Sequence, residues 1–277
     1  VFANIILDSI SPEGIRLTTF HLRYWRAIHS ELMTHRDFSR NARSSRAVPS
    51  KVLLTEQIFV PEFGMNKPGM QSEIRAPDHL QRKWADEWER LAQICRDQVE
   101  HWQAEGMHKQ WANRPLEWFG WIDVLVTATR WKNFFELRIS PYAQPEFDQL
   151  ATAMKNAMDS STPKLLHHGE WHLPYISDWE ADGRWGLNTL QMMSVARCAR
   201  LSYKPFDGEA DVNAEIARYE KLVVSRPVHA SPAEHQATPD RLIAKVHKVH
   251  HWYEPHLHGN FDGWIQYRKM LPAEVVR

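Results

Sequence analysis

Cysteine is scarce in this 277-residue chain, which holds only Cys95 and Cys198. Both fall in stretches with helical spacing, so neither a disulfide framework nor a CxxC metal site is supported. No apolar run approaches the roughly 20 residues a membrane helix needs. The first residues, VFANIILDSISPEG, lack the basic start and long apolar stretch of a signal peptide, so the expected location is cytoplasmic. Excess charge of one sign is missing as well. Lys plus Arg and Asp plus Glu both total 34, which excludes a global basic field that would draw nucleic acid or a membrane to the whole surface. Any anion site must be local. The sequence contains no GxGxxG, no GxxxxGK[ST] and no HExxH, so a Rossmann site, a P-loop and a zincin site are all unsupported.

Apolar residues make up 43% of the chain, enough for a sizeable core, and thirteen Trp are read as core and interface packing. Residues 15–22, IRLTTFHL, read as a strand. Trp25, Ile28, Leu32 and Met33 follow at helical spacing, and the polar run 39–46 is placed on a loop. Trp84, Trp88, Leu91, Cys95, Val99 and Trp102 trace one stripe of a long helix ended by Gly106. Residues 122–126, IDVLV, read as a strand, and Pro145 opens a helix carrying Phe147, Leu150, Met154 and Met158 inward. Further helices are expected at 190–200 and 211–224. No low-complexity linker divides the chain, so residues 1–277 are expected to form a single α+β domain with a mixed or antiparallel sheet and flanking helices.

Residues 35–46 bring Arg36, Arg40, Arg43 and Arg46 together with Ser39, Ser44 and Ser45. Arginine forks and hydroxyl donors converging on one place make an anion cradle; a solvated basic loop has the same composition. HKQWANRPLEW, residues 108–118, adds Lys109 and Arg114. The histidines His247, His250, His251, His256 and His258 are the rival feature, because His247 and His251 would share a helix face. Their spacing is unspecific, as is that of His167, His168 and His172. They are read as structural or exposed surface residues, and no metal site is expected.

The pattern HRxxSxNxxSxR, here His35, Arg36, Ser39, Asn41, Ser44 and Arg46, resembles the signature of the flavin-dependent thymidylate synthases. NFFELRISPYAQPEF, residues 133–147, is similar to that family's segment around a substrate-binding arginine, with Arg138 in its place. HKQWANR resembles the stretch that supplies a further nucleotide-binding arginine, here Arg114. ARLSY (199–203) and HASPAEH (229–235) resemble family pieces that usually precede the HRxxS motif, so the order of motifs looks circularly permuted.

The resemblance implies a homotetramer with active sites between subunits, FAD, NADPH and methylenetetrahydrofolate as cofactors, and a deoxypyrimidine monophosphate, dUMP, as substrate. It implies cofactor contacts for His35, Arg36, Asn133, Ser202, Ser231 and Glu234, with His229 near the folate. It implies substrate contacts for Glu31, Ser44, Ser45, Arg46, Arg114 and Arg138. Arg138 and Ser44 are the catalytic candidates, Arg138 at the pyrimidine and Ser44 as a phosphate or orienting residue, not a nucleophile. Neither cysteine lies in the Pro-Cys-His setting that a cysteine-dependent synthase would need.

Several positions depart from the family pattern. Thr34 stands where the first arginine of an RHR triplet is usual, Ala42 replaces a glutamate, Ala47 a tyrosine, and Glu31 a glutamine. Arg40 and Arg43 are expected to restore the lost charge. The altered pocket keeps a second enzyme open, a C5 hydroxymethylase acting on dUMP or dCMP. A nonenzymatic nucleotide-binding or nucleic-acid-binding relative is the third class.

Overall fold

The computed structural model describes residues 1–277 except 73, 205, 209, 210, 248, 273 and 275–277. Its centre is a five-stranded mixed sheet of order β3-β4-β2-β1-β5. The strands are β1 (Phe2–Ile10), β2 (Arg16–Trp25), β3 (Ser39–Ala42), β4 (Trp121–Ala128) and β5 (Lys164–Leu165). β1 joins β2 through a turn in which Gly14 adopts φ +80° and donates its N–H to the Ser11 carbonyl at 2.9 Å, a conformation that costs glycine nothing. The pairings β1–β2, β2–β4 and β3–β4 are antiparallel, and β1–β5 is parallel. The opening VFANIILDSI segment, whose sequence carries no clear period, is therefore a sheet strand over Phe2–Ile10.

Five helices of seven residues or more are present among the described residues: α1 (Asp78–Ala104), α2 (Lys132–Arg138), α3 (Pro145–Asp159), α4 (Leu187–Arg200) and α5 (Val212–Tyr219). Gly106, at φ +89°, follows the end of α1 as its sequence position suggests. The expected stripe of α1 is incomplete, since Leu91 is half exposed. α3 begins at Pro145 and buries Phe147, Leu150, Met154 and Met158 against the sheet together with Phe20, Leu22, Val124 and Val126. Full burial of each such large side chain is worth about 1.5–3 kcal/mol, so this face fixes the helix on the sheet.

The C-terminal segment packs against the same sheet. A fully buried hydrogen-bond chain runs from Ser9 to His172 (2.8 Å), Thr19 (2.8 Å), Thr127 (2.7 Å) and His235 (2.8 Å), crossing three strands. Burial pushes the pKa of His172 and of His235 down to about 3, so both rings are neutral in this chain. A second anchor is Arg197 of α4, also buried, which bonds Glu215 at 2.8 Å and Glu180 at 2.6 Å. Beyond it lie β6 (Ala237–Pro239), β7 (Leu242–Val246), β8 (Val249–Trp252) and β9 (Trp264–Gln266). β7 and β8 form an antiparallel hairpin, which overturns the expectation that His247 and His251 share a helix face. His247 sits at φ +48° in the turn and His251 on the following strand, where the side-chain period is two rather than 3.6.

Candidate functional site

The segment 39–46 begins as a strand, not as the loop expected from its polarity. β3 pairs with β4 in the register Ser39↔Thr127 to Ala42↔Val124. Alternation along a strand then sends neighbouring side chains to opposite faces. Ser39, Asn41 and Arg43 are buried on one face, whereas Arg40 and Ala42 lie on the other beside Val126 and Val124 and are half-buried, Ala42 against the main core. Arg43 is buried and bonds Glu56 at 2.5 Å and Asp123 at 3.3 Å. It is therefore unavailable to replace the charge missing at Thr34. Burial opposes the charge on Asp123, but His21, Arg23 and Arg43 outweigh it and hold its carboxyl below the usual range. Ser39 is likewise committed, donating to Asn260 Oδ1 at 3.1 Å and accepting from Gln266 Nε2 at 3.1 Å.

Arg40 has a different setting. One of its nitrogens, Nη1, faces the carbonyls of Leu32, Met33 and His35 at 3.1, 3.0 and 3.0 Å, capping the end of the His29–Leu32 turn. Its other guanidinium nitrogens make no hydrogen bond among the described residues. Arg40 lines two cavities at once. One, of about 610 Å³, also holds Ser202, Tyr203, Arg218, Lys221, His229 and Ser231. The other, of about 590 Å³, holds Arg36, Glu234, Asn260, Gln266 and Arg268. Burial pushes the Glu234 carboxyl up, while its hydrogen-bonded partner Arg268 and the nearby Arg40 act in the opposite sense.

Arg138, at the end of α2, faces a third cavity of about 760 Å³ together with Glu31, Gln144 and Glu146. Its Nη1 bonds Glu31 Oε2 at 3.0 Å, its Nε donates to His35 Nε2 at 3.0 Å, and its guanidinium lies 4.5 Å from the Phe147 ring centroid. Burial, followed by the charges of Arg138 and Arg40, pushes the pKa of His35 down to about 4. The neutral ring can therefore accept the hydrogen bond that Arg138 Nε–H donates. Phe38, Phe134 and Phe147 surround that ring, with centroids 5.7, 4.9 and 6.3 Å away.

The remaining expected residues divide. Ser44 donates its backbone N–H to the Ser202 carbonyl at 2.9 Å, which joins the HRxxS segment to ARLSY. Ser45 is buried with its hydroxyl bonded to Glu117, and Arg114 bonds the same carboxylate at 2.9 Å, so both have donors engaged within the chain. Arg46 is exposed, as are Arg36 on its cavity rim and Asn133 on α2. Five of the seven expected cofactor residues, Arg36, Ser202, His229, Ser231 and Glu234, line the two cavities that share Arg40, whereas His35 and Asn133 line neither. Arg218 and Lys221 escaped the sequence reading. Their only sequence signal is an i,i+3 spacing on the helix expected over 211–224.

The sequence model of the family described as thymidylate synthase complementing protein matches residues 15–164, more than half of the chain. The chain belongs to that family. The match takes in Glu31, the HRxxS segment, Arg114, Asn133 and Arg138, and ends before Ser202, His229, Ser231 and Glu234. A crystal structure titled as a UMP/dUMP methylase PolB from Streptomyces cacaoi, bound with 5-Br UMP, is similar at 16% identity with a TM-score of 0.48. That likeness covers 56% of this chain and 87% of that one. No curated protein matches the sequence. Membership of the thymidylate synthase complementing family makes the chain an enzyme of one-carbon transfer to pyrimidine nucleotides. Among the described residues no helix is long and apolar enough to cross a membrane, and no group of three or more His, Cys, Asp or Glu is placed to hold a metal ion.

Proposed function

We propose that this protein is a flavin-dependent thymidylate synthase. It methylates C5 of dUMP with the carbon of methylenetetrahydrofolate, uses FAD reduced by NADPH, and works as a homotetramer with active sites between subunits. The observation that carries the reading is Arg138, held at a cavity mouth by neutral His35 and Glu31 within the family-matched segment. A fixed guanidinium is suited to a pyrimidine ring on which negative charge develops as C5 becomes nucleophilic. His35 orients it by accepting a hydrogen bond from Nε–H, which a protonated ring could not do.

The cysteines support the same assignment. Burial raises the pKa of both thiols, and Cys198 is wholly enclosed, so neither is poised as a thiolate to attack C6. The donors of the two cavities sharing Arg40 suit a flavin dinucleotide: arginine and hydroxyl groups for phosphates, amide and carboxylate groups for ribose. When bound and reduced, FAD supplies the hydride that completes the methyl group. Exposed Arg46 is free to reach a nucleotide held by a neighbouring subunit.

Glu31 favours a second reading beside the first. Its ion pair partly neutralises Arg138, and such a pocket is compatible with C5 hydroxymethylation of dUMP or dCMP. Purified protein should be yellow with a flavin spectrum. Incubation with FAD, NADPH and methylenetetrahydrofolate, first with dUMP and then with dCMP, should give a methylated product from dUMP alone by mass spectrometry. A hydroxymethyl product decides for the second reading, and a colourless protein that cannot be reconstituted with FAD overturns both.

A further inference from the structure

The cavity of about 610 Å³ beside β3 gathers cations with no carboxylate in its lining; Glu234, in the adjoining cavity, acts on Arg40 and is itself bonded to Arg268. Arg40, Arg218 and Lys221 line it, Ser202, Tyr203 and Ser231 add hydroxyls, and His229 adds an imidazole. Arg218 is half-buried at the end of α5, and Lys221 follows one turn later. Neither makes an ion pair with another described residue. Elsewhere in the chain the enclosed arginines are matched by acids: Arg43 by Glu56 and Asp123, Arg197 by Glu180 and Glu215, Arg138 by Glu31. Gathering cations without a counter-charge costs self-repulsion, which a bound anion removes.

We infer that this cavity is a phosphate-binding site in which Arg218 and Lys221, from outside the family-matched segment, supply the cationic charge absent at Thr34. Thr34 is exposed and donates its hydroxyl to the Glu31 carbonyl at 2.7 Å, so it brings no charge to any cavity. Arg43, the other candidate, points inward. The ligand is a phosphate ester or diphosphate of a nucleotide; that it belongs to FAD or to dUMP rests on the functional reading above, whereas the anion site itself does not.

The test pairs each phosphate compound with its phosphate-free counterpart. Wild type and the Arg218→Gln/Lys221→Gln variant are titrated by calorimetry with FAD and riboflavin, with dUMP and deoxyuridine, and with inorganic pyrophosphate alone. Circular dichroism checks that the variant, altered only at half-buried or exposed positions, is folded. The expected result is a loss of at least about tenfold in affinity for pyrophosphate and for one nucleotide, with its phosphate-free counterpart unaffected. The nucleotide that responds identifies the source of the phosphate. If wild type binds no phosphate compound, or if the variant binds all of them as wild type does, the site is overturned. Failure to bind FAD alongside a pyrophosphate response overturns the flavin reading while leaving the anion site standing.

Discussion

Arg43 and Arg40 lie three residues apart on and beside one short strand, yet they have opposite surroundings. Arg43 is enclosed between Glu56 and Asp123, and its charge is cancelled inside the protein. Arg40 spends one nitrogen on backbone carbonyls and turns the rest of its guanidinium toward two cavities. The difference shows that a dense run of arginines is not one site. Strand alternation puts the two on opposite faces of the sheet, and the edge position of β3 leaves Arg40 beside two cavities where a ligand can be met.

The comparison can be broken from its buried side first. Arg43→Ala leaves Asp123 with Arg23 and His21 alone, and it should cost about 3 kcal/mol of unfolding free energy, near the lower end for loss of one partner of a buried pair. Arg40→Ala should change stability by less than about 1 kcal/mol, since it removes only partly exposed contacts to carbonyls. Equal losses in chemical denaturation would erase the distinction between the two.

Turnover should set Arg43 apart from Arg138, the arginine held at a cavity mouth. Arg138→Ala is expected to lower kcat about a hundredfold, the scale of a lost donor to developing negative charge. Arg43→Ala, assayed where it is folded, should leave kcat within about threefold, because its group is tied to Glu56 and Asp123 and lines none of the three large cavities. A hundredfold loss in both variants would place Arg43 in the chemistry.

The buried histidines predict a pH dependence of stability. The pKa values of His29 and His35 lie near 4 and those of His172 and His235 near 3, with burial the leading cause in each. The folded state thus binds fewer protons than the unfolded state below an unfolded pKa of about 6.5. Stability falls as pH drops from there toward 3, by about 1.4 kcal/mol per pH unit for each neutral ring. His172→Gln should remove about one such increment from the slope measured by denaturation between about pH 6 and pH 4. An unchanged slope would show that this ring is protonated in the folded protein.

The smallest effect concerns Glu31. Glu31→Gln removes the partner of Arg138 without changing its shape, and it should shift the ratio of kcat/KM for dUMP over dCMP by about fivefold, roughly 1 kcal/mol. A ratio that does not move would leave Glu31 as a purely structural partner of the arginine.

Much of the scaffold was legible because it is encoded locally. The β-branched and aromatic run before Trp25, the IDVLV strand and the helix opening at Pro145 all carry their period within a few residues, and β2, β4 and α3 follow it. β1 and β3 were not. Phe2–Ile10 shows mostly half-buried positions without clean alternation, and Ser39–Ala42 is polar enough to resemble a loop. β3 becomes a strand because β4, some 80 residues later, offers it a pairing edge. The loop expectation also explains why Arg43 is counted as a free cation, since a loop does not fix which face of a sheet a side chain takes.

The HRxxS pattern, the position of Arg138 and membership of the thymidylate synthase complementing family follow from the order of residues alone, because short motifs hold their donors at set spacings. The partners of each arginine do not. Glu56 and Asp123 meet Arg43, His35 and Glu31 meet Arg138, and Arg218 joins Arg40 across a cavity only after distant strands and helices pack together. Charge is a property of the sequence. Whether that charge is cancelled or left to face a ligand depends on distances through space, and those exist only in the folded chain.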